Sequence, residues 1–499
     1  MSLSTAFSIA STGLRATARQ ADIAAGNIAN AQVEGYVRKE AGLATRVTAG
    51  VGGGVDIAAI RRPVDAALAR DARRETGAEA ALDVRADALK TYATELGQPA
   101  DERSPASAMA RLETAFVALS STPELASAQR DVLDAASGLV SSLGRASAAA
   151  LRRRQEADDA IASDVALINR SLEELSGVND QIKLGTHGGR DVTALEDRRD
   201  QLIDTIGERI PLAVIRREPN DVLLVTEQGI PVFDGRPAEV AFRPTPAMPA
   251  AASYAPDAVE PGRVGVLSGL TIDGRDVAPG SGDPQAIGGG RLAGLFAVRD
   301  RDMPLVQDQL DHLAAAVIDR FQDPATDPSL TGGAPGLFTD GGAAGDTANP
   351  AALPGLALRI AVNATVDPAQ GGALWRIRDG IGAATPANAG ADAQTLRFLQ
   401  AFEAPLTLPD GLGLATPTTL RGLGDAVVTA QQTRRADVQA RADAQAGIAR
   451  TLRDARDSVA GVDVDAELQK LLQIEQAYAA NAMVVQTANR MLDTLMEMT

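Results

Sequence analysis

Residues 3–40 read LSTAFSIASTGLRATARQADIAAGNIANAQVEGYVRKE. Leu3, Phe7, Ala10, Leu14, Thr17, Ala21, Ala24 and Ile28 recur at alternating spacings of four and three. That is a heptad seam along one face of a helix. The pattern then meets Gly26, Asn27, Asn30 and Gly35. Glycine weakens a helix and permits a turn, and asparagine side chains bond exposed backbone. The stretch 26–40 holds no histidine or cysteine. It predicts a helix that ends and turns the chain outward, not a catalytic loop.

The other chain end repeats the pattern with Leu471, Ile474, Tyr478, Asn481, Val485, Ala488, Leu492 and Leu495. Asn481 is a polar break of the kind that fixes register at some cost in stability. Each seam covers roughly 25 residues, about 40 Å of helix. Two ordinary amphipathic helices on a globular core would satisfy these patterns. The sharper reading pairs the two ends with each other and with neighbouring copies. Residues 1–62 carry seven Lys/Arg against four Asp/Glu, a net of +3, and residues 460–499 carry two against six, a net of −4. Opposite signs favour encounter and register. The expected assembly interface is Leu3, Phe7, Leu14, Ile28, Leu471, Ile474, Tyr478, Val485, Leu492 and Leu495. Both seams are rich in small residues. At about 25 cal/mol per Å2, small side chains offset little of an ordering cost of about 1–2 kcal/mol per residue. The ends are therefore expected to be loosely held in a free monomer and to order when copies cover them.

The 499 residues set a prior of about two to four domains. Hydrophobic residues make up 45% but aromatics only 3%, which favours close helix packing over a bulky sandwich core. The net charge of −17 comes with no long basic stripe, which argues against nucleic acid as a partner. With no cysteine in the chain, disulfides, thiolate catalysis and cysteine-bound metal are excluded. No apolar run is long enough to insert in a membrane. The first basic residue is Arg15, so the start reads as a poor secretory signal and, taken alone, as cytosolic.

Between the ends the chain reads as nested. Leu82, Ala86, Leu89, Ala93 and Leu96 form a helical seam. SPASAMARLETAFVALSSTP, 104–123, predicts a helix capped by Ser104, opened by Pro105 and ended by Pro123, with Met109, Leu112, Phe116 and Leu119 inward. A long helix is expected from Ala126 to Ile182, with Ile161, Val165, Ile168, Leu172, Leu175, Asn179 and Ile182 on one face. After Ile206, short β-type runs alternate with turn signals at Pro219-Asn220-Asp221, Gly229, Asp234-Gly235 and Asp273-Gly274. Helix returns at 289–322 and dominates from Pro417. LALRIAV, 356–362, and LWRIRDG, 374–380, read as strands. The expected fold is multidomain and mainly α: a helical bundle and terminal coiled-coil helices, with an inserted small β domain. The expected domains are 1–62 with 460–499 as the terminal core, 63–207 with 289–323 and 391–459 as the bundle, and 208–288 as the β domain. The Gly/Pro-rich 324–390 is attached to the bundle.

Chemistry is sparse. His187 and His312 are the only histidines and neither has a partner cluster, so no metal site is expected. GVGGGVD, 50–56, and GGGRLAGL, 288–295, do not complete a phosphate loop and read as flexible turns. Asp158-Asp159 and Glu173-Glu174 read as solvent-facing acid pairs. No catalytic, cofactor-binding or metal residue is assigned, and no cofactor is expected. A carboxylate enzyme and a coiled-coil adaptor are the competing classes.

NIANAQVEGYVRKE, 27–40, resembles the Asn-Ile-Ala-Asn…Gly-Tyr signature of bacterial flagellar rod, hook and hook-associated proteins, carried here by Asn27, Ile28, Ala29, Asn30, Gly35 and Tyr36. LLQIEQAYAANAMVVQTANRMLDTLMEM, 471–498, is similar to the terminal helix of that family. ALEDRRDQLIDTIGERIPLAV, 194–214, with Arg199 and Asp200, and GGRLAGLFAVRDRDMP, 289–304, are similar to segments of its hook–filament junction members. The resemblance implies a structural subunit in a ring of identical copies. Its neighbours would be the hook protein and a second junction protein, and an export chaperone would bind its C-terminal region. It implies an extracellular place on the flagellum, reached through type III export without a cleaved signal. That overrides the cytosolic reading. A hook or rod protein of the same family is the alternative.

Overall fold

The computed structural model describes residues 3–33, 35–48, 51–255 and 259–497. The chain is mainly α. It opens with α1 (Leu3–Ala29), β1 (Glu40–Thr48) and β2 (Val51–Arg61). The helices α2 (Ala66–Leu96), α3 (Pro105–Ser121), α4 (Ala126–His187) and α5 (Thr193–Arg209) follow. Strands β3 (Leu212–Arg217), β4 (Asp221–Thr226), β5 (Pro231–Asp234), β6 (Val240–Ala241), β7 (Thr271–Ile272) and β8 (Arg275–Asp276) come next. Then come α6 (Gly290–Ala297), a π-turn (Val298–Asp302), α7 (Met303–Gln322), β9 (Phe338–Asp340), α8 (Leu356–Arg359), β10 (Ile360–Val362) and α9 (Trp375–Asp379). The chain closes with α10 (Ala393–Glu403), α11 (Leu420–Ala460) and α12 (Val464–Glu497).

Contacts divide the chain into two compact units. The first comprises Met1–Ala78, Leu167–Glu239 and Ala446–Thr499; the second comprises Glu79–Ala166 and Val240–Gln445. The stretch 208–288, expected as one β domain, contributes to both. The antiparallel sheet β3-β4-β5 belongs to the first unit and the sheet β6-β7-β8 to the second.

In the second unit, α3 begins as its sequence predicts. Ser104 Oγ accepts a hydrogen bond from Ala106 N, Pro105 takes the first turn, and Met109, Leu112, Phe116 and Leu119 are buried. Phe116 lies with Phe321, Phe398 and Phe402, ring centroids 5.3 to 6.1 Å apart, and Phe338 meets Phe321 edge-on. Five of the nine phenylalanines are therefore gathered in one cluster, where each adds area and ring–ring attraction.

A polar centre lies elsewhere in this unit. The π-turn turns Arg299 and Asp302 inward, and both are fully buried. Arg299 Nη1 donates to Asp158 Oδ1 at 2.8 Å, and its Nε and Nη2 clasp Asp300 at 2.8 and 2.9 Å. Arg154, also fully buried, donates to the carbonyls of Arg299 at 2.9 Å and Ala252 at 2.6 Å, and to Gln307 Oε1 at 3.0 Å. Asp302 accepts from Arg85 at 2.8 Å and Arg434 at 2.5 Å. Burial would raise the Asp302 carboxyl, but the two guanidinium groups outweigh it and hold it below the ordinary carboxylate range. Asp158, which the sequence places in solvent, is a fully buried anion of this centre. A helical turn shows which residues share a face, but not that a cation from 141 residues away in sequence reaches one of them.

Two strand expectations also change. Residues 356–359 of LALRIAV form α8, and only Ile360–Val362 pair, with β9. LWRIRDG forms α9. Asp311 on α7 caps α8, accepting from Gly355 N at 2.7 Å and Ala357 N at 2.8 Å. Burial pushes its carboxyl up from 3.8 to about 7, against the pull of those two amides, with Asp308 adding to the rise and Arg263 opposing it. A raised carboxyl binds its proton more tightly when folded. Its stabilising contribution is therefore full below the unfolded value of 3.8 and is lost as pH rises through about 7. The gap in melting temperature between wild type and Asp311→Asn should change steadily between pH 4 and 7 and be flat above pH 8. A gap that is constant across that span would refute the assignment.

Candidate assembly interface

The first unit is built on the two chain ends. α12 packs along α1, and small residues form the contact. Ala10, Ala16, Thr17 and Ala24 of α1 are buried, as are Ile474 and Ala488 of α12. Leu14, Ile28, Leu471, Asn481 and Val485 are half-buried. The larger seam residues Phe7, Tyr478 and Leu492 remain 37%, 48% and 40% exposed. The side chains of Leu3 and Leu495 lie outside the described ones. A single copy thus leaves much of both stripes uncovered.

Gly13 sets the closest approach. A Cβ there would lie 2.8 to 3.0 Å from the Asn481 side-chain amide, whose Nδ2 donates to Ala477 O at 3.0 Å. The polar break in the α12 seam therefore sits on an α1 position without a side chain, a match that a shift by a helical turn would destroy. Gly13→Leu is expected to cost about 1–3 kcal/mol by overpacking, read as faster amide exchange in both helices; unchanged exchange would show that the helices tolerate a larger separation.

The chain next forms the hairpin β1-β2, which the sequence did not suggest. GVGGGVD lies largely within β2, not in a flexible turn. Gly54 has φ +107°, and a Cβ there would collide with Thr12 Oγ1. That hydroxyl accepts from Val55 N at 3.2 Å. Gly54 lets strand backbone lie directly on α1.

Asn27 joins the helix to the hairpin. It is fully buried. Its Nδ2 donates to Lys39 O at 3.0 Å, while its Oδ1 accepts from Lys39 N at 3.0 Å and from Tyr36 Oη at 2.9 Å. Asn30 Nδ2 donates to Gly26 O at 2.8 Å, satisfying a carbonyl in the last turn of α1. Ala29 is exposed. Gly35 has φ +75°, and a Cβ there would sit 2.7 Å from Gln201 Cγ. A β-branched residue at that angle costs about 1–3 kcal/mol before the clash. Gly35→Val is therefore expected to speed amide exchange at Tyr36 and along β1; unchanged exchange would show that the turn is dispensable.

The hairpin's two ends are held by α5. Arg62 Nε lies 2.8 Å from Asp197 Oδ1, and its Nη2 donates to Asp200 Oδ2 at 2.7 Å; Glu196 lies at 3.5 Å. Lys39 Nζ is 3.7 Å from Asp197 and 5.2 Å from the centre of the Tyr36 ring. Burial works against the Arg62 charge, but Asp200, Asp197 and Glu196 outweigh it and raise its pKa. Burial raises Asp197 despite Arg62 and Lys39. Burial, with Asp197 and Glu467 nearby, also raises Tyr36, which keeps it a neutral donor to Asn27. Arg199 points the other way, donating to Asn220 O at 2.8 Å and Asn220 Oδ1 at 3.1 Å in the β3-β4 turn. Arg199 and Asp200 thus tie one helix to two hairpins. Lys39, Arg62 and Asp197 were not singled out in the sequence; their only signal is a place at the ends of strands and beside Arg199.

His187 and His312 lie in different units, each with Nδ1 2.8 Å from a carbonyl one turn back in its own helix. Among the described residues no acid and histidine cluster could hold a metal ion, and no helix is long and apolar enough to cross a membrane.

Residues 95–327 match the model of the flagellar hook-associated protein FlgK helical domain, and residues 456–498 match that of the flagellar basal body rod FlgEFG protein C-terminal domain. The chain is similar to flagellar hook-associated protein 1 of Salmonella typhimurium, at 26% identity over 320 residues, covering 62% of this chain and 55% of that one. The Escherichia coli protein of that name is 24% identical over 319 residues, with the same coverage. The chain spans about half the length of these curated relatives. A solved structure of the flagellar hook junction protein FlgK from Burkholderia pseudomallei matches with a TM-score of 0.42 and 20% identity, over 55% of this chain and 47% of that one. The chain is thus similar to flagellar hook-associated proteins over its helical middle and to flagellar basal body rod proteins over its terminal helix.

Proposed function

We propose that this chain is a structural subunit of the bacterial flagellum that joins the hook to the filament, through a ring of copies built on the paired chain ends. The observation that carries this reading is the α1–α12 pair, whose contact is made of small side chains while Phe7, Tyr478 and Leu492 stay in part uncovered. Neighbouring copies would cover them, and Leu3, Leu14, Ile28, Leu471, Ile474, Val485 and Leu495 complete the proposed interface. The names of the relatives supply the place in the assembly. The hook protein would lie on one side of the ring and a second junction protein on the other. Export would proceed through the flagellar type III system, with a chaperone on the C-terminal region. A chain without cysteine has no covalent cross-link to undo before threading through a channel.

Deletion of the gene tests the reading. Cells should build hooks, lack filaments and release unpolymerised flagellin. Loss of the hooks themselves would assign the chain to the hook or rod instead.

A further inference from the structure

Any ring or stacked tube of identical subunits needs two different patches on each copy, because a patch that meets itself stops at a dimer. The first unit presents two patches of that kind. One is β1. It pairs with β2 on one edge and with no other strand among the described residues. Residues 43–47 are exposed without a break, with Leu43 at 50% and Val47 at 65%. The hairpin's extra residues lie mainly on β2, the strand that rests on α1, where Gly42 and Leu43 face Ala59 and Ile57 and leave Ala58 unpaired. The ribbon rests on α1 through β2, and the open edge of β1 is a template on which another segment can pair or pack.

The other patch is on α12. Leu468, Leu472, Glu475, Ala479 and Met483 follow one another at spacings of four, three, four and four, and all five are exposed, Leu472 at 59% and Met483 at 68%. Such spacing makes one stripe, about 100° around the helix from the seam that faces α1. Methionine at its end suits a surface that must mould to a partner.

We infer that β1 of one copy docks on the α12 stripe of the next, with Leu43 and Val47 against Leu468, Leu472 and Met483. The choice of occupant rests on charge. Exposed Arg46 stands between Leu43 and Val47 in sequence, and exposed Glu475 stands between Leu472 and Met483. The segments that hold them, 1–62 and 460–499, carry net charges of +3 and −4. A contact between unlike patches is polar and can repeat around a ring, whereas β1 on β1 would place Arg46 near Arg46. This inference rests on the subunit role proposed above and names the contact that role requires.

The chain has no cysteine, so single cysteines report contacts cleanly. Val47→Cys and Leu472→Cys are made in separate copies of the full chain, produced together in one cell, and the isolated hook–filament structures are treated with a mild thiol oxidant. Mass spectrometry should find a peptide joining position 47 of one copy to 472 of another. Adding Arg46→Glu to the first copy should abolish that peptide, and adding Glu475→Arg to the second should restore it. Copies recovered in the structures without a 47–472 link, or with 47–47 links only, would overturn the inference while leaving the subunit role intact. A link indifferent to Arg46→Glu would overturn the choice of occupant. A chain absent from the structures altogether would remove the subunit role and this contact with it.

Discussion

Replacing Arg299 with methionine is expected to destabilise the second unit by about 3–5 kcal/mol, the range for removing one partner of a buried ion pair. Arg299 is fully buried and neutralises two carboxylates, those of Asp158 and Asp300. It also donates to Ser268 O at 3.1 Å and lies over the Phe296 ring at 4.7 Å. Methionine would fill much of the volume and keep the ring contact, but both acids would be left without their cation. Asp158 also accepts from Thr245 N at 2.6 Å, so the segment after β6 would lose its anchor. Asp158→Asn should cost less, because an amide oxygen still accepts and no charge is stranded. Trp375 is the only tryptophan and belongs to the second unit. Its fluorescence during urea unfolding therefore reports this unit. A midpoint for Arg299→Met within error of wild type would mean that the two acids find other partners or take up protons at no measurable cost.

The same residue shows how far the sequence could be read. The segment VRDRD stood out only as part of a family resemblance, and its chemistry was invisible because the partners Asp158, Arg85 and Arg434 lie on other helices. Periodicity did better wherever one helix face meets one core. The inward faces of α3 and α4 are buried as their spacing predicts, including Asn179, which donates to Asp221 at 2.7 Å. The Asp273-Gly274 turn likewise joins β7 to β8, with both residues at positive φ. Failures cluster where local pattern and tertiary contact disagree. LWRIRDG has strand composition but forms α9, whose Arg376 donates to the Ile381 and Ala383 carbonyls and closes the next turn. GVGGGVD looked unstructured because glycine has low strand propensity. Its Gly54 answers to Thr12 of α1, which lies far earlier in the chain and leaves no mark on the immediate neighbours. In the proposed interface, the seams were legible as stripes. The match of Gly13 to Asn481 was not, since a missing side chain on one helix acquires meaning only beside the other.

Asn27→Ala should be the most damaging single change in the first unit. The substitution strands Lys39 N–H, Lys39 C=O and Tyr36 O–H, each now bonded to the Asn27 amide. Stranded buried groups cost about 1–3 kcal/mol apiece, so a total of about 3 kcal/mol or more is expected even if one of the three finds water. Tyr36→Phe removes only the third bond and leaves Asn27 its two bonds to Lys39, so its effect should be markedly smaller. Asn27→Asp would keep an acceptor but lose the donor to Lys39 O, and would place a new charge near Tyr36, whose ionisation Asp197 and Glu467 already oppose. The amide of Lys39 gives the direct readout: its hydrogen exchange should accelerate strongly in Asn27→Ala, together with the hairpin 40–61, while the Trp375 unfolding midpoint of the second unit stays in place. If the hairpin presents β1 to the next copy, the same variant should be exported yet fail to support filaments. Export with normal filaments would mean that the interface tolerates a hairpin no longer clipped to its helix, and the link from Asn27 to assembly would be lost.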